Sequence, residues 1–330
     1  MRIIVDAMGG DFAPEVVVEG VIQAVREYDT DVVLVGRENR LKSLLVRNGY
    51  AGTGISVHPA QEVIEMSESA AASIRKKRKS SIVVGINLLK KKEGDAFFSA
   101  GNTGAVVCAA TLGLGMLPGI ERPGIAVVLP TMKGISLLID AGANIDPKPT
   151  QLLQYAVMGD AYARYILKVS RPKVGLLNIG EEEMKGTGFL KETHELLNKS
   201  TLNFTGNVEG KDLFSGRCDI ILTDGFVGNI ALKVSESAAE ALQVFLRRHL
   251  LSSPLHRLAT LMLKPAFRKF KKDIDYAEYG GTPLLGVNGP VLIGHGRSTA
   301  HAIKNAIRVA KEEVERQFTD KILDAIKREA

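Results

Sequence analysis

Cysteine is nearly absent: Cys108 and Cys218 are the only two in 330 residues, far apart in the sequence and with no pairing or metal-ligand spacing around either. That spacing excludes a disulfide framework and fits a reducing compartment. No run of eighteen or more uncharged apolar residues occurs and no basic-then-apolar leader opens at Met1, so a soluble, untargeted, cytoplasmic chain is expected. Aromatic residues make up only 5%, which leaves the modest formal net charge of +6 without the aromatic interleaving of a nucleic-acid surface. No G-x-G-x-x-G follows a strand and no G-x-x-x-x-G-K-[ST] occurs, which weakens the case for NAD or ATP. There is no G-x-S-x-G elbow, and neither cysteine has a histidine near it in sequence, so a covalent acyl-enzyme lacks an evident nucleophile. Histidines and carboxylates show no metal-ligand spacing, and neither metal nor cofactor is expected.

Against these absences stands a regular alternation. Short β-branched and apolar runs at residues 3–6, 32–36, 55–57, 96–99, 125–129, 137–140, 174–178, 220–223 and 291–293 read as buried strands. Helix-period stretches at 14–27, 41–47, 103–116, 151–168 and 299–314 lie between them. The pattern predicts one α/β unit over residues 1–330: a three-layer α/β/α sandwich around a largely parallel, doubly wound sheet. No fixed-period repeat, low-complexity tract or long linker divides it.

Residues 227–272 depart from the alternation, with helical periodicity, a turn signal at Ser252-Ser253-Pro254 and no strand, and are expected to protrude as a helical hairpin. Between positions 241 and 272 no acidic residue occurs, while Arg247, Arg248, Arg257, Lys264, Arg268, Lys269, Lys271 and Lys272 are all basic. In the second arm Leu255, Leu258, Met262, Phe267 and Phe270 fall near one helical face and basic residues follow the other, until Pro265 kinks or ends the arm. Such a surface suits anionic lipid or an acidic protein. A dimerisation arm with a solvated charged back fits it equally well.

Four glycine-rich turns each end a strand and open a helix: Asp6-Ala7-Met8-Gly9-Gly10-Asp11, Ser99-Ala100-Gly101-Asn102-Thr103-Gly104, Asp224-Gly225-Phe226-Val227-Gly228-Asn229 and Gly294-His295-Gly296-Arg297-Ser298. Turns of this kind aim backbone N–H groups at an anion, and in an open parallel sheet all four are expected along the carboxyl edge of the strands. Singly, each also reads as tight turning with a helix cap. With nucleophile, nucleotide and metal signatures missing, the economical chemistry is direct transfer, in which a bound anion attacks and the protein supplies position and charge. Attack on an acyl carbon builds a negative oxygen, for which the Asn102, Asn178 and Asn229 amides are suitable donors. Lys185, after Glu181-Glu182-Glu183, is either a phosphate or oxyanion ligand or a solvated lysine balancing the glutamates. His295 is a phosphate ligand, a proton shuttle or a structural turn residue. Asp6, Asp11, Asp140 and Asp224 stand at or just beyond strand ends, where carboxylates cap helices or orient cations, and Arg122 before Pro123 contacts phosphate or braces a loop.

The wording and order of these turns resemble the bacterial phosphate acyltransferase family, also called acyl-ACP:phosphate transacylases. The resemblance rests on V-D-A-M-G-G-D-x-A-P at 5–14, S-A-G-N-T-G-A at 99–105, R-P at 122–123, D-x-G-A-N at 140–144, L-L-N-I-G at 176–180, T-D-G-F-x-G-N at 223–229 and Y-G-G at 279–281, and it spans nearly the whole chain. It implies a fold like isocitrate and isopropylmalate dehydrogenases and phosphotransacetylase, a homodimer, and no nicotinamide or metal requirement. The implied reaction moves a fatty acyl group from acyl carrier protein to inorganic phosphate. The acyl phosphate would then pass to a membrane glycerol-3-phosphate acyltransferase, with the protein peripheral on the inner face of the cell membrane. Carried onto this sequence, the resemblance implies Lys185, Asn229, His295 and Asp224 as catalytic residues. It implies Asp6, Gly9, Gly10, Asp11, Gly101, Asn102, Thr103, Asn144, Asn178, Gly225 and Gly228 around phosphate or phosphopantetheine, with the hairpin cations against carrier protein or membrane. The acyl channel is expected among the apolar residues of the hairpin. Competing readings are a short-chain phosphotransacetylase on acetyl-CoA, a metal-dependent dehydrogenase of the same fold, and a membrane-surface scaffold without catalysis.

Overall fold

The computed structural model describes residues 1–250, 252–253, 256, 260, 262–267, 270 and 280–329. Arg257, Arg268, Lys269, Lys271, Lys272, Leu255, Leu258 and Tyr279 lie outside them.

An eleven-stranded sheet runs through the molecule in the order β3-β2-β1-β4-β11-β10-β5-β6-β9-β7-β8. Its strands are β1 (Arg2–Asp6), β2 (Asp31–Gly36), β3 (Ile55–Pro59), β4 (Ala96–Ser99), β5 (Gly124–Thr131), β6 (Gly134–Ile139), β7 (Val174–Leu177), β8 (Phe204–Val208), β9 (Ile220–Leu222), β10 (Thr282–Leu285) and β11 (Val291–Ile293). Pairing is parallel within β3-β2-β1-β4-β11 and within β6-β9-β7-β8. Across the middle, β11–β10, β10–β5 and β5–β6 are antiparallel. The two parallel halves therefore run in opposite senses, and the turns do not share one carboxyl edge as an all-parallel sheet requires.

The first half is a sandwich. One face carries α1 (Glu15–Tyr28), α2 (Glu38–Arg47) and α9 (Ala300–Glu315), with Ile3, Val5, Leu34, Phe98 and Leu292 packed against Val18, Val21, Leu41 and Ile307. The other carries α4 (Ser81–Lys90) and α5 (Thr103–Gly113), with α3 (Ala70–Lys76) against α5. Burial on both faces is why β1, β2 and β4 are continuous Val, Ile, Leu and Phe runs rather than alternating ones. In the second half, α6 (Pro149–Tyr165), α7 (Gly188–Lys199) and α10 (Phe318–Glu329) cover the face presented by Ala126, Val128, Leu137 and Ile139. The opposite face, with Val127, Leu129, Leu138 and Leu177, meets the 3-10 turn Gly210–Phe214 and the base of α8 (Gly225–Leu250). A cleft of about 1580 Å³ opens there.

Helix α8 is the first arm of the expected hairpin. Only Gly225 and Gly228 in its first turn are buried. Among the described residues no helix is long and apolar enough to cross a membrane.

Candidate active site

Two clusters of turns frame the cleft. The first joins the ends of β1, β4 and β11. Asp6 is buried, and its carboxylate accepts hydrogen bonds from the Met8 N–H at 3.0 Å and the Ser99 hydroxyl at 2.7 Å. Ser99 Oγ in turn accepts from the Gly101 N–H at 3.0 Å. A Cβ on Gly9 would stand 2.5 Å from Asp6 Oδ2 and 2.6 Å from Gly101 N, so glycine is what lets these two turns interlock. The Asp11 N–H donates to the Gly296 carbonyl at 2.7 Å and ties in the third turn. Burial pushes the Asp6 carboxyl above its ordinary range, against the pull of its hydrogen bonds.

The second cluster joins the ends of β6 and β9. Asp140 is fully buried and accepts from the N–H groups of Ile125 at 2.8 Å, Gly142 at 3.1 Å, Ala143 at 3.0 Å and Asn144 at 2.7 Å. Burial pushes its carboxyl up as well, and the four backbone donors oppose that. The Asn144 carbonyl accepts from the Gly225 N–H at 2.9 Å, and the Asn144 amide donates to Gln151 and to the Tyr155 hydroxyl. A Cβ on Gly225 would lie 2.6 Å from Asp140 Oδ2, and one on Gly228 would run into the Asp140 carbonyl oxygen. These two glycines let the first turn of α8 lie directly on the 140–144 loop.

Both clusters reach the same cleft although their strands are opposed. Asp11, Thr103 and His295 reach it from the first cluster's turns, and Asp224 and Asn229 from the second's. Of the residues singled out in sequence, Asp11, Thr103, Asn178, Asp224, Asn229 and His295 line the cleft. Asp6, Gly9, Gly10, Gly101, Asn102, Asn144, Gly225 and Gly228 do not; they brace the turns from behind. The Asn102 amide is wholly engaged, capping α5 through the Ala105 N–H at 3.0 Å and donating to the carbonyls of Glu65, Met66 and Glu68 at 3.0–3.2 Å. It fixes that loop rather than serving an oxyanion. Asn178 accepts from the Ile179 N–H at 2.8 Å and donates to the Lys185 carbonyl at 3.1 Å. Asp224 caps α8 by accepting from Phe226 and Val227 N–H at 3.0 and 2.8 Å. Asn229, half-buried, lies beside Gly142, and no hydrogen bond holds its amide among the described residues.

Lys185 stands apart. Its side chain is 51% exposed, 4.0 Å from Glu182, and absent from the cleft lining. The loop it belongs to is anchored by Glu181 to Lys211 at 3.0 Å and Arg217 at 2.9 Å, and by the Glu182 carbonyl to Asn207 at 2.9 Å. Arg122 is exposed and away from the lining, as are Arg247, Arg248 and Lys264. Lys233 and Glu236, which were not foreseen, line the cleft, as does Arg297 of the fourth glycine-rich turn. With Asn229, the first two form a polar stripe at i, i+4 and i+7 along a mostly apolar helix, a pattern legible in the sequence. His295 Nδ1 accepts from the Arg297 N–H at 3.2 Å, which leaves the neutral ring's proton on Nε2, 4.0 Å from Glu236 Oε2. The cleft is largely apolar: Ile125, Val127, Leu129, Leu177, Leu190 and Leu213 make one side, and Val227, Ile230, Leu232, Val234, Leu242 and Phe270, from the segment expected to form the hairpin, line it as well. Among the described residues, no three His, Cys, Asp or Glu side chains are grouped to hold a metal.

A concave, largely apolar cleft with a few polar groups at its edge, cut into a mixed α/β sheet, is the usual form of a small-molecule site. Solved structures of similar fold include a phosphotransacetylase from Streptococcus pyogenes, with a TM-score of 0.65 at 18% identity over 96% of this chain and 94% of that one. Another is a 4-hydroxythreonine-4-phosphate dehydrogenase from Klebsiella pneumoniae, with a TM-score of 0.54 at 13% identity over 95% and 99%. At such identities the likeness concerns the fold alone. In sequence, the family model described as fatty acid synthesis protein matches residues 1–321. The phosphate acyltransferase of Pelotomaculum thermopropionicum is 49% identical over 326 residues, 99% of this chain and 95% of that protein. That of Desulfitobacterium hafniense is 50% identical over 323 residues, 98% and 96% of the two chains. The chain belongs to the fatty acid synthesis protein family and is an enzyme of its phosphate acyltransferases.

Proposed function

We propose that this enzyme transfers a long-chain fatty acyl group from an acyl carrier protein thioester to inorganic phosphate, giving acyl phosphate for phosphatidic acid synthesis. The observation that carries the reading is the division of the cleft, in which His295, Arg297, Asn229 and the Thr103 end of α5 stand above the floor of Val127, Leu129, Leu177 and Leu213. An ionic reacting end with a long apolar tail matches that division, whereas an acetyl group leaves the floor unused. In the proposed step an oxygen of hydrogen phosphate bonds to the acyl carbon, the C–S bond breaks, and the phosphate proton passes to the departing thiolate. The Asn229 amide donates to the carbonyl oxygen as it becomes negative. Arg297, the N-terminus of α5 and the His295 Nε2–H hold the phosphate, and the Arg297 N–H on Nδ1 fixes the ring.

In this reading the protein acts as a homodimer in the cytoplasm, peripheral on the membrane, and hands acyl phosphate to a membrane glycerol-3-phosphate acyltransferase. Helix α8 supports it: Val234, Leu242 and Phe245 are 61%, 60% and 53% exposed, and Arg247 and Arg248 follow them. Apolar side chains bared in such number suit a covering surface, and cations beside them suit anionic lipid.

Thiol release from palmitoyl-carrier protein, with and without phosphate and with no added metal or nucleotide, tests the reaction. Phosphate-dependent release with acyl phosphate as product is expected. Activity on acetyl-CoA alone overturns the chain-length assignment, and silence on both overturns the reaction. Asn229→Ala lowers kcat/KM by about a hundredfold at unchanged melting temperature. Lys185→Ala decides whether its loop takes part: a comparable loss brings Lys185 into the reaction, and unchanged turnover leaves it out.

A further inference from the structure

Five consecutive basic residues, Arg75-Lys76-Lys77-Arg78-Lys79, cross from α3 into the turn before α4. Lys77 is spent internally on Glu68 and, at 2.7 Å, on the Val63 carbonyl. Arg75, Lys76, Arg78 and Lys79 are exposed, and none makes an ion pair among the described residues. Of the acids nearby, Glu68 is also held by the Ser73 hydroxyl at 2.7 Å and Glu62 accepts from the Lys79 N–H at 2.9 Å, which leaves Glu65 as the exposed anion beside four cations. This surface stands beside the cleft. Ala70, which opens α3, packs on Gly104 next to Thr103, and the Asn102 amide grips the 65–68 loop, whose Met66 lines the cleft.

We infer that this turn is the docking surface for the acidic protein that delivers the acyl thioester, an inference that rests on the proposed acyl transfer. Its place beside the cleft supports this: Lys76 is about 9 Å of helix from Ala70, which packs on Gly104 next to the cleft-lining Thr103. A thioester on a tethered arm reaches the cleft from this surface, and four unpaired cations steer an acidic partner to it.

The test compares Arg75→Glu/Lys76→Glu/Arg78→Glu/Lys79→Glu with Arg247→Glu/Arg248→Glu/Lys264→Glu in the full chain. Fluorescence anisotropy with labelled palmitoyl-carrier protein reads docking, and thiol release from palmitoyl-pantetheine reads turnover without the carrier body. The rim variant is expected to bind carrier at least about tenfold more weakly, with a flattened salt dependence, and to turn over palmitoyl-pantetheine as the wild type does. Should reversal lower the melting temperature, Gln at the same four positions repeats the measurement. Unchanged carrier affinity in the rim variant overturns the inference, as does loss confined to the hairpin variant. Loss of binding to phosphatidylglycerol vesicles with carrier affinity intact overturns it too, and makes the turn a lipid contact. Carrier binding without any phosphate-dependent thiol release breaks the acyl-transfer reading and leaves the docking surface standing.

Discussion

Asp6 and Asp140 stand at strand ends in the two halves of the sheet, both buried and both pushed up by burial, yet they are held differently. Asp6 accepts from the hydroxyls of Ser99 and Ser81 and from the backbone of its own turn, and a hydroxyl can turn to accept as well as donate. Asp140 accepts from four backbone N–H groups that cannot change role. The first turn is therefore fastened in part by side chains from β4 and α4, the second by backbone alone, three of its donors from its own loop and one from β5. A third carboxylate completes the series. Glu313 of α9 is buried against Tyr162 of α6, one of its oxygens has no hydrogen-bond partner, and burial, with Glu312 beside it, raises its pKa to about 8.

The largest effect is expected where the second turn meets α8. Gly228→Ala drives a Cβ into the Asp140 carbonyl oxygen, backbone against backbone, and should cost about 4 kcal/mol or more in urea unfolding. A mild loss would mean that α8 can lift from the 140–144 loop. Next comes Glu313→Gln. The folded-state pKa of about 8 lies above the ordinary carboxylate value of 4.5, so the unfolded chain releases its proton first as pH rises. Stability is then full below the lower value, falls between the two and levels off above the higher one. Removing the group should erase roughly 3 kcal/mol of that decline between pH 5 and 8, read as a flattened pH dependence of the unfolding midpoint. The aspartates themselves give the finest discrimination. Asp140→Asn turns an NH2 toward fixed N–H donors and should cost about 2–3 kcal/mol, while Asp6→Asn lets Ser99 accept instead and should cost about 1 kcal/mol. Equal losses would erase the distinction between the turns.

Much of this was legible beforehand. All nine apolar runs became strands, and those buried on both faces, such as β1, β2 and β4, are unbroken apolar sequences; β3, expected to be buried, is a half-exposed edge strand. β8, Phe204–Val208, escaped because its Thr205-Gly206-Asn207 centre is polar at an edge of the sheet, and β10 because it holds four residues with Pro283 among them. α4 hid behind Ile82-Val83-Val84, a β-branched run that becomes a helix once Ser80 caps it. At the site, glycine and aspartate were visible as turn signals, but whether a glycine faces a ligand or another backbone depends on what lies across from it. Gly9 faces Gly101, 92 positions away, and Gly228 faces Asp140, 88 away.

Local composition by itself determined the strands, the capped helix starts, the sparse cysteine and the cationic run of residues 75–79, since each depends on neighbours within a few positions. Tertiary structure alone decided that β10 and β5 reverse the sheet, that two opposed sets of strand ends reach one cleft, and that His295 and Glu236 come within 4.0 Å there. Those outcomes depend on pairings between segments far apart in the chain, and the free energy of such pairings is set by packing across the whole sheet rather than by any residue's own preference.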